Sequence, residues 1–264
     1  MDYSKYNQLE ISQEGPIVTV TLNRPEVRNV INGELHDELA TIFTDLDLDD
    51  SSDLVILTGA GGYFCGGGDI NWILSQNRDL VQSAHAGRAN RRIQTSLLDL
   101  EKPIIAKVRG PAVGLGCSLA LYCDFVYATP EAVFSDPHVS IGLVAGDGGT
   151  ILWPQLIGYA RARRYLLTGD PIRGEEAANI GLITEAVPEA QLDEVVDKMA
   201  RRLLSGAKYA IKWTKASINA ALKVTANAVI DRAGPFENLT QMTADNRIAA
   251  QAFLDKQRPV FSGS

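Results

Sequence analysis

The sequence predicts an α/β fold in which strands and helices alternate before a helical region closes the chain. Three observations predict it. Short β-branched runs alternate with stretches of helical period. Beyond Gly148 helical patterns dominate, interrupted by one β-like run at Leu182–Val187. Glycine is clustered: fourteen of the 23 glycines fall between Gly59 and Gly149, and all but Gly87 of these lie in three tight groups. Such clusters indicate backbone brought close to something.

In chain order, Leu9–Gln13 and Ile17–Leu22 flank Gly15-Pro16 and read as a hairpin. Asn32–Leu48 places Leu35, Leu39, Ile42, Phe43 and Leu46 on one helical face. Leu54–Thr58 is a β-branched run ending at Gly59, and the long polar stretch Leu80–Leu100 reads as a helix. Pro103 precedes a strand at Ile104–Val108, with further strands at Asp124–Ala128 and Ala132–Phe134. Arg201–Leu222 and Ala226–Lys256 read as C-terminal helices, and Pro259 closes the last.

The composition narrows the function. The chain has 264 residues, 45% hydrophobic and 22% charged, the balance of a globular protein. Lys plus Arg number 25 against 32 Asp plus Glu, a net charge of −7, which argues against nucleic acid as the main partner. Arg88, Arg91 and Arg92 read as a solvated helix face or salt-bridge partners. No run approaches ~18 apolar residues, so no membrane helix is expected. The opening MDYSKYNQLEIS lacks the features of a secretory leader. Cys65, Cys117 and Cys123 lack metal-like spacing and read as reduced thiols in the cytoplasm.

The first glycine cluster, Gly59 to Asp69, follows a strand. A dinucleotide fingerprint starting at Gly59 needs glycine at 64, where Phe64 stands, and no Gly-Lys-Ser/Thr follows to make a phosphate loop. The remaining readings are a run of backbone N–H donors facing an acceptor oxygen or a flexible surface loop. The second cluster, Gly110 to Ala120, also follows a strand and opens a helix at Leu115-Gly116. A loop N–H and a helix-start N–H converging on one oxygen make an oxyanion hole. A nucleophile elbow at Gly116-Cys117-Ser118-Leu119-Ala120 fails because Ala120 breaks G-x-S-x-G. In the third cluster, Ile141 to Thr150, Asp147 follows His138 by nine residues. Either the loop folds Asp147 back onto the imidazole, or His138 is structural and Asp147 caps a helix starting at Gly148. Trp72 could line a pocket beside the first cluster, whereas Trp153 and Trp213 read as packing residues.

Taken together, these segments resemble the crotonase (enoyl-CoA hydratase/isomerase) superfamily over nearly the whole chain. Thr21–Pro25 with Asn29–Asn32 resembles the family's early CoA-contacting loop, Phe64–Ile70 its first oxyanion segment and Gly110–Asp124 its second. Leu166–Gly169, Gly181–Glu185 and Ala252–Lys256 resemble its later signatures. The resemblance implies a spiral of repeated ββα turns over residues 1–200. A C-terminal helical trimerisation region, residues 201–264, would assemble trimers or hexamers. It implies an acyl-CoA substrate, as in fatty-acid metabolism, with coenzyme A arriving on the substrate and no metal or redox cofactor. Gly68 and Leu115 become the oxyanion donors. Val27, Arg28, Val30, Gly66, Asp69, Ile70, Trp72, Ser118 and Lys256 become candidate substrate or CoA contacts, Arg28 and Lys256 at the CoA phosphates.

The sequence departs from the family at two positions. The paired glutamates of its hydratases fall here on Ser118 and His138. Phe134–His138 followed by Gly142–Gly148 is locally similar to oxocamphor hydrolase and related β-diketone hydrolases. Their His–Asp pair falls on His138 and Asp147, and their helix glutamate on Glu237. A further histidine of that enzyme falls on Leu115, and Gly66-Gly67-Gly68-Asp69 keeps the CoA-type pattern. The leading expectation is an enoyl-CoA hydratase/isomerase-like enzyme with a His138–Asp147 dyad in place of the glutamates. The alternatives are retro-Claisen hydrolysis of a β-dicarbonyl and a non-catalytic oligomeric binding module.

Overall fold

The computed structural model describes residues 1–76 and 79–264. The hairpin forms as β1 (Leu9–Glu14) and β2 (Ile17–Leu22), paired antiparallel. Along β2, Val18, Val20 and Leu22 are buried and alternate with half-buried residues, the period-two pattern of a strand with one face on a core. Helix α1 (Gly33–Leu48) starts where the Asn32 side chain accepts the Leu35 N–H at 2.9 Å and buries Leu35, Leu39, Ile42, Phe43 and Leu46. Its last turn is satisfied by the buried Lys102, whose ammonium donates to the carbonyls of Leu46 and Asp49.

The chain continues through β3 (Leu54–Gly59), α2 (Ile70–Gln76), α3 (Leu80–Asp99), β4 (Ile104–Val108), β5 (Pro111–Val113), α4 (Leu115–Leu121), β6 (Phe125–Ala128) and β7 (Val133–Ser135). A 3-10 turn at His138–Ile141 leads into α5 (Gly149–Thr168), which is broken at Gly158. Then come β8 (Ile172–Arg173), α6 (Gly174–Asn179), β9 (Glu185–Ala186), α7 (Glu189–Leu204), α8 (Lys208–Gln241) and α9 (Ala244–Leu254).

Six strands form one sheet in the order β1-β2-β3-β4-β6-β9, parallel from β2 onward. A second sheet has the order β5-β7-β8, with β5 parallel and β8 antiparallel to β7. Single bridges, Ile31 with Gly68 and Cys65 with Ala112, add the glycine segments to this spiral. The first two glycine clusters therefore leave β3 and β4, neighbouring parallel strands, in the same direction, and this sets them side by side.

The alternating strand–helix reading holds, with corrections. The run Leu182–Val187 pairs only over the two residues of β9. The expected break at 223–225 does not exist: α8 runs on through it, since Ala226 and Ile230 beyond it are buried on the core, Lys223 pairs with Asp99, and only Val224 is exposed there. The C-terminal helices divide instead at 205–207 and 242–243, so Arg201 lies within α7. Helix α2 and the short strands β5 and β8 had no periodic signal long enough to read.

Candidate active site

The two glycine segments meet over a cavity of about 360 Å³. Cys65 N–H donates to Pro111 O at 2.9 Å and Val113 N–H to Cys65 O at 3.0 Å, which locks the segments in register. Gly67 has φ +93° and Gly114 has φ +53°, a backbone region that L side chains disfavour. These turns aim the next amides. At Gly67, the carbonyl accepts from Ile31 N–H, and Asp69 N–H donates to Ile31 O, so strand alternation turns the Gly68 N–H to the opposite side. Leu115 is the first residue of α4 and has no preceding turn to accept its N–H. Both residues line the cavity, and neither amide has a hydrogen-bond partner among the described residues.

Beyond them lies a buried cluster of four ionisable groups. Asp136 follows β7, and His138 opens the 3-10 turn after Pro137. The His138 Nδ1–H donates to Asp136 Oδ1 at 2.5 Å. On the other side of the ring, Nε2 lies 3.2 Å from Asp147 Oδ2 and 4.0 Å from Glu237 Oε1 on α8. Ser118 on α4 donates its hydroxyl to Asp147 Oδ1 at 3.0 Å. Burial opposes charge on His138, but the Asp147 and Asp136 carboxylates outweigh it and hold the imidazole well above its ordinary pKa. Burial pushes the Glu237 carboxyl up to about 8, against the pull of His138 and with the push of Asp147 and Asp136. Donor atoms of Asp136, His138 and Asp147 lie within 4.8 Å of one another, with the imidazole bridging the two carboxylates.

A polar network ties the cluster to the helices. Asn90 on α3 donates to Glu237 Oε2 at 3.3 Å, Gln94 donates to Gly146 O at 3.1 Å, and the Tyr122 hydroxyl donates to Gln94 Oε1 at 3.1 Å. Farther along the wall, Gln241 donates to Gln76 Oε1 at 3.3 Å. His36 packs against Trp72 with ring centroids 5.0 Å apart, and burial lowers its pKa to about 4, so it is neutral.

Of the residues singled out in the sequence, Gly68, Leu115, His138, Asp147 and Glu237 converge on this cavity, with Val30, Gly66, Asp69, Ile70 and Trp72 along its walls. Others lie outside the cavity or are placed differently from the expectation. Asp147 folds back beside His138, 3.2 Å from Nε2, rather than capping α5, whose N-cap is Gly148, and Asp136 takes the other ring nitrogen. Ser118 is not on the cavity wall but behind Asp147, almost fully buried. Asp69 spends its carboxylate on the Asn71 N–H at 2.9 Å, at the start of α2. Val27 and Arg28 lie on the exposed loop outside the cavity, where the Arg28 guanidinium covers the Tyr63 ring, and Lys256 is exposed just after α9. Trp213 is not packed but 59% exposed, with Tyr209 beside it, whereas Trp153 is fully buried. Arg91 pairs with Asp231. Burial pushes the Cys65 thiol up to about 12, which makes it unreactive.

Sequence reading missed Asp136, Asn90, Gln94 and His36. Only Asp136 left a trace, as the residue before Pro137 in an Asp-Pro-His run. A residue before proline is biased to an extended backbone, and here the Asp136 carboxylate reaches the ring of His138, the first residue of the turn that follows.

The family model for enoyl-CoA hydratase/isomerase matches residues 12–264. A crotonyl-CoA hydratase of Syntrophomonas wolfei is 33% identical over 261 residues, covering 97% of this chain and 98% of the relative. A 1,2-epoxyphenylacetyl-CoA isomerase of Escherichia coli is 34% identical over 255 residues, covering 95% and 96% respectively. The crystal structure of an enoyl-CoA hydratase/isomerase from Mycobacterium paratuberculosis superposes with a TM-score of 0.91 at 33% identity, covering 94% of this chain and 99% of that one.

Proposed function

Because the chain belongs to the enoyl-CoA hydratase/isomerase family, we propose that it hydrates or isomerises an enoyl-CoA thioester. The observation that carries this reading is the pair of unpartnered amides, Gly68 and Leu115, lining one cavity with the buried acid–base cluster. A thioester oxygen placed between the amides becomes an enolate oxygen as a proton leaves or water adds. Each donor aimed at that developing charge is worth on the order of 3–4 kcal/mol in the transition state. The proton moves between carboxyl groups of the cluster that His138, Asp147 and Glu237 form. This chemistry moves only protons and water, so it calls for no redox group, and coenzyme A arrives as part of the substrate.

Titration calorimetry and turnover with crotonyl-CoA test the reading. Micromolar binding with double-bond hydration or migration is expected; no heat with any acyl-CoA overturns it.

One observation favours a second reading. His138, Asp147 and Glu237 stand together where the two glutamates of the hydratases are absent. Such a cluster could activate water against a β-dicarbonyl carbon and release a carboxylate by retro-Claisen cleavage. A panel of β-ketoacyl-CoAs and cyclic β-diketones separates the readings, and the second fails if none yields a carboxylate.

The assembly we propose is a trimer or hexamer. Its support is the apolar surface that α8 leaves exposed at Tyr209, Trp213, Ile218, Val224 and Leu239. Light scattering should give three or six chains, and a monomer at micromolar concentration counts against it. No described helix is long and apolar enough to cross a membrane. Three buried, unpaired cysteines support a reducing compartment, the cytoplasm.

A further inference from the structure

We propose that Asp136 is a positioning residue that holds His138 as a fixed imidazolium, which leaves Asp147 as the group that accepts the substrate proton. This rests on the function proposed above for the word substrate, but its geometry belongs to the free protein.

The argument starts from hydrogen-bond chemistry. A carboxylate only accepts, so at 2.5 Å from Asp136 Oδ1 the His138 Nδ1 must carry a proton. In a neutral ring the lone pair on Nε2 would then face Asp147 Oδ2 at 3.2 Å and Glu237 Oε1 at 4.0 Å. Lone pair against carboxylate is repulsive, and a neutral ring would leave the Asp136 and Asp147 charges buried without a cation. A proton on Nε2 removes both penalties. The ring is then a doubly protonated bridge and has no free basic nitrogen. The charged and titratable groups around it are Asp136 after β7, Asp147 before α5 and Glu237 on α8, with His36 on α1 and Tyr122 after α4 near Asp147 and neutral.

Asp136 is held by more than this bond. Its Oδ2 lies so close to Gly149, the first residue of α5, that a Cβ there would come within 1.8 Å. That oxygen is buried without a hydrogen-bond partner among the described residues. Its compensation is the positive end of the α5 dipole. Glycine at 149 therefore admits the Asp136 carboxylate, and the carboxylate fixes the ring.

In turnover a substrate C–H bond breaks, its proton passes to Asp147, and the electron pair enters the enolate held by Gly68 and Leu115. Protonated Glu237 delivers a proton to the other carbon, forming the new C–H bond. One proton then returns from Asp147 to Glu237. His138 keeps both of its protons throughout.

The test uses the full-length ¹⁵N-labelled enzyme without substrate. Long-range ¹H–¹⁵N correlation of the His138 ring, assigned with His138→Gln, is recorded from pH 5 to 9. Two protonated nitrogens across the range are expected in the native protein; a neutral ring at pH 7 overturns the proposal, and this arm needs no Asp136 variant to fold. In Asp136→Asn, which keeps shape but removes charge, the ring should titrate within the range. Its kcat should fall about 10²-fold at pH 7 with KM little changed. An Asp136→Asn protein with native ring titration and native kcat overturns the proposal. A doubly protonated ring in a protein that binds no acyl-CoA would overturn the function proposed above and leave this assignment standing.

Discussion

Asp136 reaches Nδ1 of His138 at 2.5 Å although only Pro137 separates the two residues in sequence. The same ring faces Asp147 at 3.2 Å on its other side. The histidine thus works as the centre of a carboxylate sandwich, and its removal should act on both neighbours.

His138→Ala should lower turnover by ~10²–10⁴. It should also destabilise the fold, by about 3–5 kcal/mol, because Asp136 and Asp147 then keep buried charge without their cation. Steady-state rates and urea melts measure the two effects separately. Native turnover in the variant would remove His138 from the mechanism.

The pH dependence of stability should carry the mark of Glu237, whose carboxyl is raised from 4.5 to about 8. Between these values the folded protein holds a proton that the unfolded chain has lost. Its contribution is thus complete below about pH 4.5 and disappears as pH rises through about 8. His138, also raised, acts in the same direction, whereas His36, lowered to about 4, acts oppositely and loses its contribution as pH falls from 6.5. Urea midpoints of native protein and Glu237→Gln, compared from pH 5 to 9, isolate the first effect. The native curve should fall more steeply with pH than the variant's; parallel curves would contradict the protonated state assigned to Glu237.

Gly116→Ala tests the coupling of the two oxyanion segments. A Cβ at 116 would lie 2.5 Å from Cys65 Cβ and 2.6 Å from its sulfur. Cys65 cannot yield alone, because its N–H and C=O are both bonded to the β5 segment. Overpacking of this kind costs about 1–3 kcal/mol. The displaced segment carries Gly68, so kcat should drop more than the melting temperature alone explains. A variant that is merely less stable, with native kcat at low temperature, would show that the amide positions do not depend on this contact.

What the sequence disclosed follows from the range of each signal. Helix α1 was readable because Leu35, Leu39, Ile42, Phe43 and Leu46 form an uninterrupted period. The glycine clusters were readable as backbone approach, since a dense run of glycine has few other physical uses. The length of α8 was not, because its continuity depends on burial of Ala226 and Ile230 rather than on local propensity. The same limit hid Asn90 and Gln94, which matter only because α3 packs on α8 and on the third glycine loop. Asp147 was found by spacing from His138, but spacing could not say which ring nitrogen it faces or that Asp136 holds the other.

Ser118 occupies the place where the resemblance puts the first hydratase glutamate, so Ser118→Glu is the obvious attempt to restore a two-carboxylate site. The structure argues that it fails. The Ser118 hydroxyl donates to Asp147 at 3.0 Å, so a carboxylate there would set two acceptors against each other in a buried space. Nor is there room: even a Cβ on Gly148 would approach Ser118 Oγ to 3.1 Å and Tyr122 to 2.8 Å. Ser118→Glu should therefore lower both stability and turnover, whereas Ser118→Ala, which removes only the hydrogen bond to a charged group, should cost about 1.5–3 kcal/mol. Turnover of Ser118→Glu at or above the native rate would refute the assignment of Asp147 as a buried carboxylate supported by Ser118.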